Sequence, residues 1–358
     1  MLEQTTHFYL GILAALAVFG VIWAGIPISR AAGLLDNPSE IKQHDGAIPL
    51  VGGPAIFLVC AVGGYLTLPS INWIAWGAGG LLILTCIWDD LKGLGWLFRL
   101  IVQATVAIIM VEQLNLTISN PGFGIAKLSS PELQWAHKLL ATIAIVAAIN
   151  ALNMLDGIDG LCSVTALLVL QHISICLILI DGAIGDREAF LTMFLSGCIL
   201  GFLGFNLTKN KHRKVFLGDS GSAFLGLMCS IFLITVFGGS AAADATTNTK
   251  DYPVLALWIF ALPISDMFLT SIRRLLKNKN VFSGDRSHLH HRLLDAGATP
   301  RQALTILSAF SIVMFWFGFW FTTKLGNGLS IIAFLLNLST FILLPRLTRI
   351  VFSNAKSR

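Results

Sequence analysis

About eleven apolar stretches, each near the length of a membrane-spanning helix, make up most of this 358-residue chain. They cover about residues 7–26, 48–68, 71–88, 97–113, 136–153, 161–180, 188–207, 219–237, 253–276, 302–322 and 328–348. A helix that crosses a bilayer needs roughly 20 mostly apolar residues. The chain is 55% hydrophobic and only 12% charged, so it cannot cover an apolar core with polar surface in water. The sequence therefore predicts an all-α, polytopic membrane protein with about eleven transmembrane helices, forming a single domain over residues 1–358.

Three further features narrow the class of protein. No Lys or Arg precedes the first stretch and no clear small-residue cleavage site follows it, which predicts a retained span rather than a signal peptide. The net charge of +5 is spread over many loops and indicates membrane topology rather than nucleic-acid binding. The cysteines lie inside apolar stretches at irregular spacing, as buried hydrophobic residues do, and not in the pairs that a disulfide framework or metal cluster requires. They are Cys60, Cys86, Cys162, Cys176, Cys198 and Cys229.

The distribution of basic residues predicts the orientation in the membrane. If the N-terminus is outside, the loops after the odd-numbered spans and the C-terminal tail share one side, which holds 19 of the 24 Lys and Arg. The other side keeps Lys127, Lys138, Arg187, Lys250 and Lys324. Because positive loops stay in the cytosol, we expect the C-terminus and the basic loops to be cytosolic.

Polar residues able to do chemistry lie on this same side, although none of them enters the charge count. They are Asp89, Asp90, Asn153, Asp156, Asp159, Asn206, Asp219, His288, His290 and His291. Asp156 and Asp159 are three residues apart, so a helical turn would place both on one face. Five carboxylates near one membrane surface repel each other unless a cation lies between them, and oxygen ligands suit Mg²⁺ or Mn²⁺. The pattern indicates a divalent-metal site with a phosphate-bearing partner.

Each acid also has a structural interpretation. Asp219 precedes an apolar helix in Gly-Asp-Ser-Gly-Ser, a good N-cap sequence, and the chances of a cap and of a ligand are about even. The Asp89-Asp90 pair could be a solvated end of a span. For Asp156 and Asp159 chemistry is favoured, because alternating Asp and Gly is an unusual way to leave a membrane. That all five are structural is the least favoured alternative.

Glycine-rich and basic segments accompany the acids. Gly218–Ser222 opens a helix whose free N–H groups can hold an anion. Lys92 follows Asp90, while Arg273 and Arg274 end the ninth span, where interfacial snorkelling is an equally good explanation.

The loop Ser283–Arg292 contains three histidines in four positions. No fourth ligand at zinc spacing accompanies them, so contact with a diphosphate or proton relay is favoured over zinc. His44 is either part of this site or a simple loop residue. Asp266 lies inside the ninth span and is expected to face the helix bundle, paired with an arginine.

Five segments together resemble the polyprenyl-phosphate N-acetylhexosamine-1-phosphate transferases, in family order between residues 42 and 291. The segments are Lys42–Gly53, Asp89-Asp90, Asn150–Leu161, Val215–Ser222 and Asp285–His291. The resemblance is closest to the bacterial undecaprenyl-phosphate N-acetylglucosamine-1-phosphate transferases. Relatives that transfer phospho-MurNAc-pentapeptide usually carry three consecutive histidines where this chain has His288-Leu-His-His291, which argues against that donor.

The resemblance implies a reaction and its partners. UDP-GlcNAc would donate GlcNAc-1-phosphate to undecaprenyl phosphate with Mg²⁺ or Mn²⁺, releasing UMP and initiating a lipid-linked glycan such as O-antigen. It implies a bacterial inner membrane location, a cytosolic active site, and membrane lipid rather than nucleic acid as a partner. O-antigen, common antigen and a teichoic-like polymer are all compatible with the sequence as the glycan that is initiated, and so is a homodimer as the oligomeric state.

The resemblance also implies roles for individual residues. Asp219 would be the principal metal ligand, and Asp156 a further one. Asp89 would deprotonate the lipid phosphate next to Asp90, while Asp156 and Asp159 would take part in catalysis and nucleotide contact. The remaining catalytic candidates are His290 and His291. The substrate-binding candidates are His44, Lys92, Asn153, Asn206, Arg273, Arg274, Arg286 and His288.

Two other classes of protein compete with this enzyme hypothesis. A secondary transporter also has many spans and a few acids, but it should show repeats and charged residues near the bilayer midplane. A non-catalytic scaffold would not need five acids and three histidines on one face. Direct transfer and transfer through an aspartyl-phosphate are both compatible with the sequence.

Overall fold

A computed structural model of the chain describes residues 2–37, 46–67, 73–119, 122, 133–239, 248–280 and 286–356. The helices are α1 (Leu2–Ala32), α2 (Gly52–Thr67), α3 (Trp73–Lys92), α4 (Trp96–Gln113), α5 (Gln134–Leu155), α6 (Leu161–Asp181), α7 (Asp186–Asn206), α8 (Gly218–Phe237), α9 (Leu255–Ile259), α10 (Ala261–Leu276), α11 (Leu289–Asp295) and α12 (Pro300–Lys356). A 3₁₀ turn covers Asn248–Asp251, and two short strands, β1 (Leu35–Asp36) and β2 (Ile48–Pro49), pair antiparallel.

Helix α8 lies at the centre of the bundle and contacts α2, α3, α5 and α6. Most of its residues are buried, and in its first two turns Asp219 is the partly exposed exception. Glycine lets α5 come close, because a Cβ at Gly226 would lie 2.6 Å from Cα of Ile149. The helices around α8 run in alternating directions, so α3 and α5 end where α8 begins. Residues that are distant in the sequence therefore meet at one end of α8.

A backbone connection fixes the entry to α8. The N–H groups of Gly52 and Gly53 donate to the carbonyls of Phe216 and Leu217, at 3.1 and 2.9 Å. The N–H of Phe216 in turn donates to the carbonyl of Pro49 at 2.9 Å. These bonds attach the segment before α2 to the segment before α8.

The predicted ninth span is broken at Phe260 into α9 and α10. Proline has no N–H to donate, and its ring clashes with the carbonyl four residues earlier in a continuous helix. For Pro263 that residue is Ile259, where α9 ends. Pro263 instead lies in the first turn of α10, a position where proline is tolerated. The break determines where Asp266, one turn further on, is placed.

Helix α12 is a hairpin of two antiparallel arms. The chain reverses at Gly326, whose φ of 82° and ψ of 168° are not helical. Thr322 and Ser330 share a hydrogen bond of 2.7 Å on either side of this turn. Further along, the rings of Phe310 and Phe341 lie 4.8 Å apart. The two arms correspond to the last two predicted spans.

The all-α, membrane-spanning class is confirmed. Eight of the described helices are long and apolar enough to cross a membrane, and α2 is a shorter apolar helix. Ten of the predicted apolar stretches each coincide with a helix or with a helix arm, and the ninth covers both α9 and α10. The number of helices that cross the bilayer and the sidedness of the termini stay predictions. All six cysteines are free and buried, as expected. Single-domain organisation over residues 1–358 also stays a prediction.

Candidate active site

Arg99 joins two of the predicted acids. It lies in the first turn of α4, and its Nη1 is 2.7 Å from Oδ2 of Asp89 and 3.4 Å from Oδ2 of Asp219. The backbone N–H of Leu94 donates to the other oxygen of Asp89 at 2.6 Å. Asp89 is nearly enclosed, whereas Asp219 keeps 40% of its side-chain surface exposed. The end of α3 and the start of α8 thus meet through one guanidinium group.

Asn153 holds Asp219 from the opposite side. Its Nδ2 lies at the end of α5 and donates to Oδ1 of Asp219 at 3.1 Å and to Oγ of Ser222 at 2.9 Å. A charge-assisted donor on each oxygen fixes the orientation of a carboxylate. Asp219 is therefore held in place by side chains of α4 and α5, while the exposed part of its carboxylate remains accessible to a ligand.

Asp90 lies beside the start of α8. A Cβ at Gly218 would lie 3.3 Å from Oδ2 of Asp90, and the φ of Gly218 is +73°. A side chain at this position would be strained by its backbone and would also crowd the carboxylate. Gly218 therefore lets the carboxylate of Asp90 lie close to the start of α8, next to Asp219 in the sequence.

The acid loop, residues 156–160, connects α5 to α6. Asp156 is exposed at its beginning. Asp159 is half-buried, and its Oδ2 forms an ion pair with Nζ of Lys214 at 2.5 Å. Lys214 precedes α8 and also lies over the ring of Phe216, 5.6 Å from its centre. The loop is thereby attached to the entry segment of α8.

His290 packs against the acid loop. Any Cβ at Gly157 would overlap the imidazole ring of His290, so only glycine fits there. The ring is buried, and neither of its nitrogens has a hydrogen-bond partner among the described residues. Burial, reinforced by electrostatic interactions with His291, His288 and Arg286, holds the pKa of His290 well below its ordinary value. His290 is therefore neutral at physiological pH.

A buried hydrogen-bond network positions residues 286–292, which we call the histidine loop. Asp266 accepts hydrogen bonds from Nδ1 of His288 at 2.9 Å and from the N–H of Leu289 at 2.7 Å. Arg274 donates to Nε2 of His288 at 3.2 Å, so His288 carries its proton on Nδ1. The expected arginine partner of Asp266 is wrong: the carboxylate contacts a histidine, and Arg274 lies beyond that ring. The break at Phe260 explains this, because it carries Asp266 towards α11.

The remaining candidates lie at several places around this centre. Asn206 is buried at the end of α7, donates to the carbonyl of Val215 at 3.0 Å, and has an Oδ1 with no partner in the described chain. Lys92 is exposed at the end of α3. Arg273 donates to the carbonyl of Ser287 at 3.3 Å.

Three predicted site residues are left, two in the histidine loop and one in the loop before α2. Arg286 pairs with Asp295 at 3.1 Å, and both side chains are substantially exposed. His291 lies with its ring centre 4.2 Å from that of His290, and burial lowers its pKa. His44 lies outside the described residues.

The carboxylates fit a divalent cation that phosphate groups help to hold. In the described part of the chain, no three His, Cys, Asp or Glu side chains form one metal-binding cluster. Mg²⁺ does not need such a cluster, because it keeps several waters and takes phosphate oxygens as ligands. Asp219 with Asp90 nearby offers oxygen ligands of this type. That Asp156 is a second ligand stays a prediction.

Sequence reasoning missed Arg99, although a signal was present. Arg99 is the only charged residue near the start of the predicted span 97–113, where it counted merely as a basic residue of the cytosolic side. A charged residue inside a predicted span indicates a functional site by default. Gln103, one turn deeper on α4, also escaped notice. It accepts a hydrogen bond of 2.7 Å from Asn150 on α5.

A polar cavity of about 390 Å³ opens beside the acid loop. Asp159 and Lys214 form part of its wall, together with Thr208 and three further basic side chains, and apolar residues complete it. The basic ones are Lys209, Lys211 and Arg301. With four cations facing one carboxylate, the cavity suits an anionic ligand.

Comparison with known proteins assigns the chain to a family. Residues 72–237 match glycosyl transferase family 4. The undecaprenyl-phosphate alpha-N-acetylglucosaminyl 1-phosphate transferase of Salmonella typhi is 33% identical over 290 residues, covering 79% of this chain and 75% of the relative. The protein of the same name from Escherichia coli K12 is 32% identical over 290 residues, covering 78% and 74%. That from Pasteurella multocida is 34% identical over 297 residues, covering 79% and 77%.

The fold and the site define a polytopic membrane transferase with an acidic centre. The chain belongs to glycosyl transferase family 4, in agreement with the resemblance carried by its motifs.

Proposed function

We propose that this protein transfers GlcNAc-1-phosphate from UDP-GlcNAc to undecaprenyl phosphate. A new bond forms between an oxygen of the lipid phosphate and the β-phosphorus of the donor. The bond from that phosphorus to the bridging oxygen breaks, and UMP leaves with the electron pair. The observation that carries the proposal is the meeting of Asp89, Arg99 and Asp219 at the junction of α3, α4 and α8.

Both reactants are anionic, so the site must neutralise charge and align them. Arg99 offers a planar, permanently charged group that binds phosphate oxygens in pairs. Asp89 and Asp219 orient it through their carboxylates. Asp219 and Asp90 would hold Mg²⁺ or Mn²⁺, which when bound neutralises negative charge on the phosphates.

The cavity beside the acid loop supports a soluble, anionic donor. Its basic residues lie next to Asp159. Asn206 is hydrogen-bonded to Val215, which lies between Lys214 and Phe216, and is therefore close to this cavity. The unsatisfied Oδ1 of Asn206 can accept a hydrogen bond from a nucleotide. We infer that the nucleotide end of UDP-GlcNAc occupies this side of the site. His290, neutral and without a partner in the described chain, then faces the diphosphate as a hydrogen-bond donor or acceptor.

Exposed apolar residues support a membrane-borne acceptor. Around Arg99, the start of α4 presents Trp96, Leu97 and Phe98, each between 42% and 54% exposed. Trp88, beside Asp89, is 64% exposed. A polyprenyl chain can lie against these side chains while its phosphate reaches Arg99. This apolar surface suits an acceptor that is embedded in the bilayer.

The location we propose is the bacterial inner membrane, with the site facing the cytosol. The excess of basic residues on the loops of that side supports this orientation. That two copies of this chain form a homodimer stays a prediction.

The direct test incubates purified protein with radiolabelled UDP-GlcNAc, undecaprenyl phosphate and Mg²⁺. Label should become extractable into organic solvent while UMP is released in equal amount, and EDTA should stop both. Asp219→Asn should lose the activity while keeping the wild-type unfolding temperature. Lys138→Gln, which removes an exposed pair with Glu112 far from the site, is the matched control and should stay active.

Three outcomes of this test would count against the proposal. Folded protein without transfer under any divalent metal would reject the enzyme. Label from UDP-GalNAc but not from UDP-GlcNAc would correct the donor. An unchanged rate in Asp219→Asn would remove the acid site from the mechanism.

A further inference from the structure

Four arginines from three helices gather on one side of α11. They are Arg273 on α10, Arg292 on α11, and Arg346 and Arg349 on the second arm of α12, and we call them the arginine cluster. Both α10 and α11 pack against α12. Because the arms of α12 are antiparallel about Gly326, residues 346–349 return to about the level of residues 302–305, next to α11.

Three charges of this cluster act on the fourth, that of Arg292. Burial and the positive charges of Arg273, Arg346 and Arg349 lower the pKa of Arg292, so each of these three lies within electrostatic reach of Arg292. Among the described residues, Asp266 opposes these charges, and its oxygens already accept hydrogen bonds from the histidine loop.

The arginine at the centre of the cluster is incompletely satisfied. Arg292 is half-buried, and its Nη1 is shut off from solvent with no hydrogen-bond partner among the described residues. An enclosed guanidinium N–H without an acceptor is costly, and repulsion among four cations adds to that cost. A polyanion with several oxygens would relieve both.

Exposed apolar side chains adjoin the cluster. On α10, Leu275 and Leu276 are 60% and 80% exposed, and on α12, Leu347 and Ile350 are each 58% exposed. Arginines that alternate with exposed aliphatic residues at the ends of apolar helices lie at the level of lipid head groups. A ligand that fits has a phosphate for the arginines and hydrocarbon for the leucines.

The cluster lies apart from the reacting centre. His290 and Arg292 are two positions apart on α11, so their side chains point about 200° away from each other around the helix. His290 faces Gly157 and the acid loop. Arg292 therefore faces away from that loop, and the phosphate it binds is not the one that reacts.

We propose that the arginine cluster binds the phosphate head group of an anionic phospholipid in the same leaflet as the acid site. The bound lipid bridges α10, α11 and α12 and stabilises the histidine loop that precedes α12. Arginine matches phosphate in a bidentate geometry that a choline head group cannot offer, so the site selects anionic over zwitterionic lipid.

The test measures phosphatidylglycerol binding to purified full-length protein in phosphatidylcholine-containing micelles. Native mass spectrometry counts retained lipids, and the unfolding temperature is followed during titration. Arg346→Gln combined with Arg349→Gln changes two exposed side chains and should weaken phosphatidylglycerol binding about 10- to 30-fold, given the usual contribution of two basic residues near an anionic surface. Arg346→Lys with Arg349→Lys keeps the charge and should retain most of the affinity, which separates binding from misfolding.

Lys277→Gln with Lys279→Gln is the matched control, because it removes the same charge from exposed positions at the same end of α10. It should bind within about 2-fold of wild type, since these residues lie outside the cluster. Equal affinity of the wild type and the double arginine-to-glutamine variant would overturn the proposal. So would equal retention of phosphatidylcholine, or an equal effect of inorganic phosphate. Stoichiometric displacement of phosphatidylglycerol by undecaprenyl phosphate would reassign the site to the acceptor.

Discussion

The imidazole of His290 lies so close to Gly157 that no side chain larger than hydrogen fits between them. This contact joins the histidine loop to the acid loop, two segments more than 130 residues apart in the sequence. It makes Gly157→Ala a specific probe of the site. The added methyl group must push His290 or the acid loop aside, and a displacement of about 1 Å can cost about 100-fold in rate.

The measurement is the rate of label transfer by Gly157→Ala, with Gly20→Ala as the control because nothing lies within 4 Å of a Cβ there. In a His290→Ala background the added methyl group has room, so Gly157→Ala should then cost little further activity. Additive losses from the two substitutions would mean that they act independently.

Arg99 should contribute to the chemical step. Arg99→Gln removes the charge between Asp89 and Asp219, and we expect kcat to fall about 10²- to 10³-fold, as for other groups that stabilise transition-state charge. Arg99→Lys keeps the charge but loses the planar fork, so its kcat should lie between the two. Steady-state kinetics at saturating donor measure the effect, and a wild-type kcat in Arg99→Gln would contradict it.

The lowered pKa of His290 predicts a stability that depends on pH. Between that pKa and the ordinary one, the unfolded chain binds a proton that the folded chain does not, so the free energy of unfolding falls as the pH falls through this range. The slope reaches at most about 1.4 kcal/mol per pH unit, and the full stability is present above the ordinary pKa of histidine.

Unfolding temperatures measured from about pH 7.5 to pH 5 test this dependence. His290→Gln should flatten the curve, whereas His212→Gln, at an exposed loop position, should leave it unchanged. If His290→Gln is as sensitive to acid as the wild type, His290 is not the titrating group.

The hydrogen bond between Gln103 and Asn150 should stabilise the contact between α4 and α5. Replacing either residue with leucine leaves the other polar side chain without this partner and should lower the unfolding free energy by about 1–2 kcal/mol. The double replacement should cost less than the sum of the two single ones. The four proteins of this double-mutant cycle can be compared by chemical denaturation, and strict additivity would show that the pair contributes nothing.

The proposed orientation of the protein in the membrane can be tested by cysteine labelling. All six native cysteines are buried, so a single introduced cysteine gives the signal. Lys279→Cys, after α10, should react with an impermeant maleimide only after cells are opened. Ala183→Cys, between α6 and α7, should react in intact cells. The reverse pattern would place the acid site outside.

The helices were predictable because apolar composition over about 20 residues is a local property. The approach of Asp89 to Asp219 was predictable too, because charge asymmetry assigns loops to one side of the membrane before any contact is known. The partner of Asp266 was not, since His288 lies 22 residues later and reaches it only through the break at Phe260. Arg99 was missed because its charge was interpreted only as a sign of membrane topology. Contacts of this kind depend on helix packing, which hydropathy does not encode.

The central position of α8 has a consequence for biosynthesis. Asp89 is made early, at the end of α3, and Asp219 follows at the start of α8, but His290 leaves the ribosome only after ten of the twelve helices. A nascent chain that has inserted α8 already carries its carboxylates and Arg99, yet it lacks the histidine that closes over Gly157. The proposed site is thus completed by one of the last segments to be translated, and we expect a chain that ends before α11 to lack the contact between His290 and Gly157.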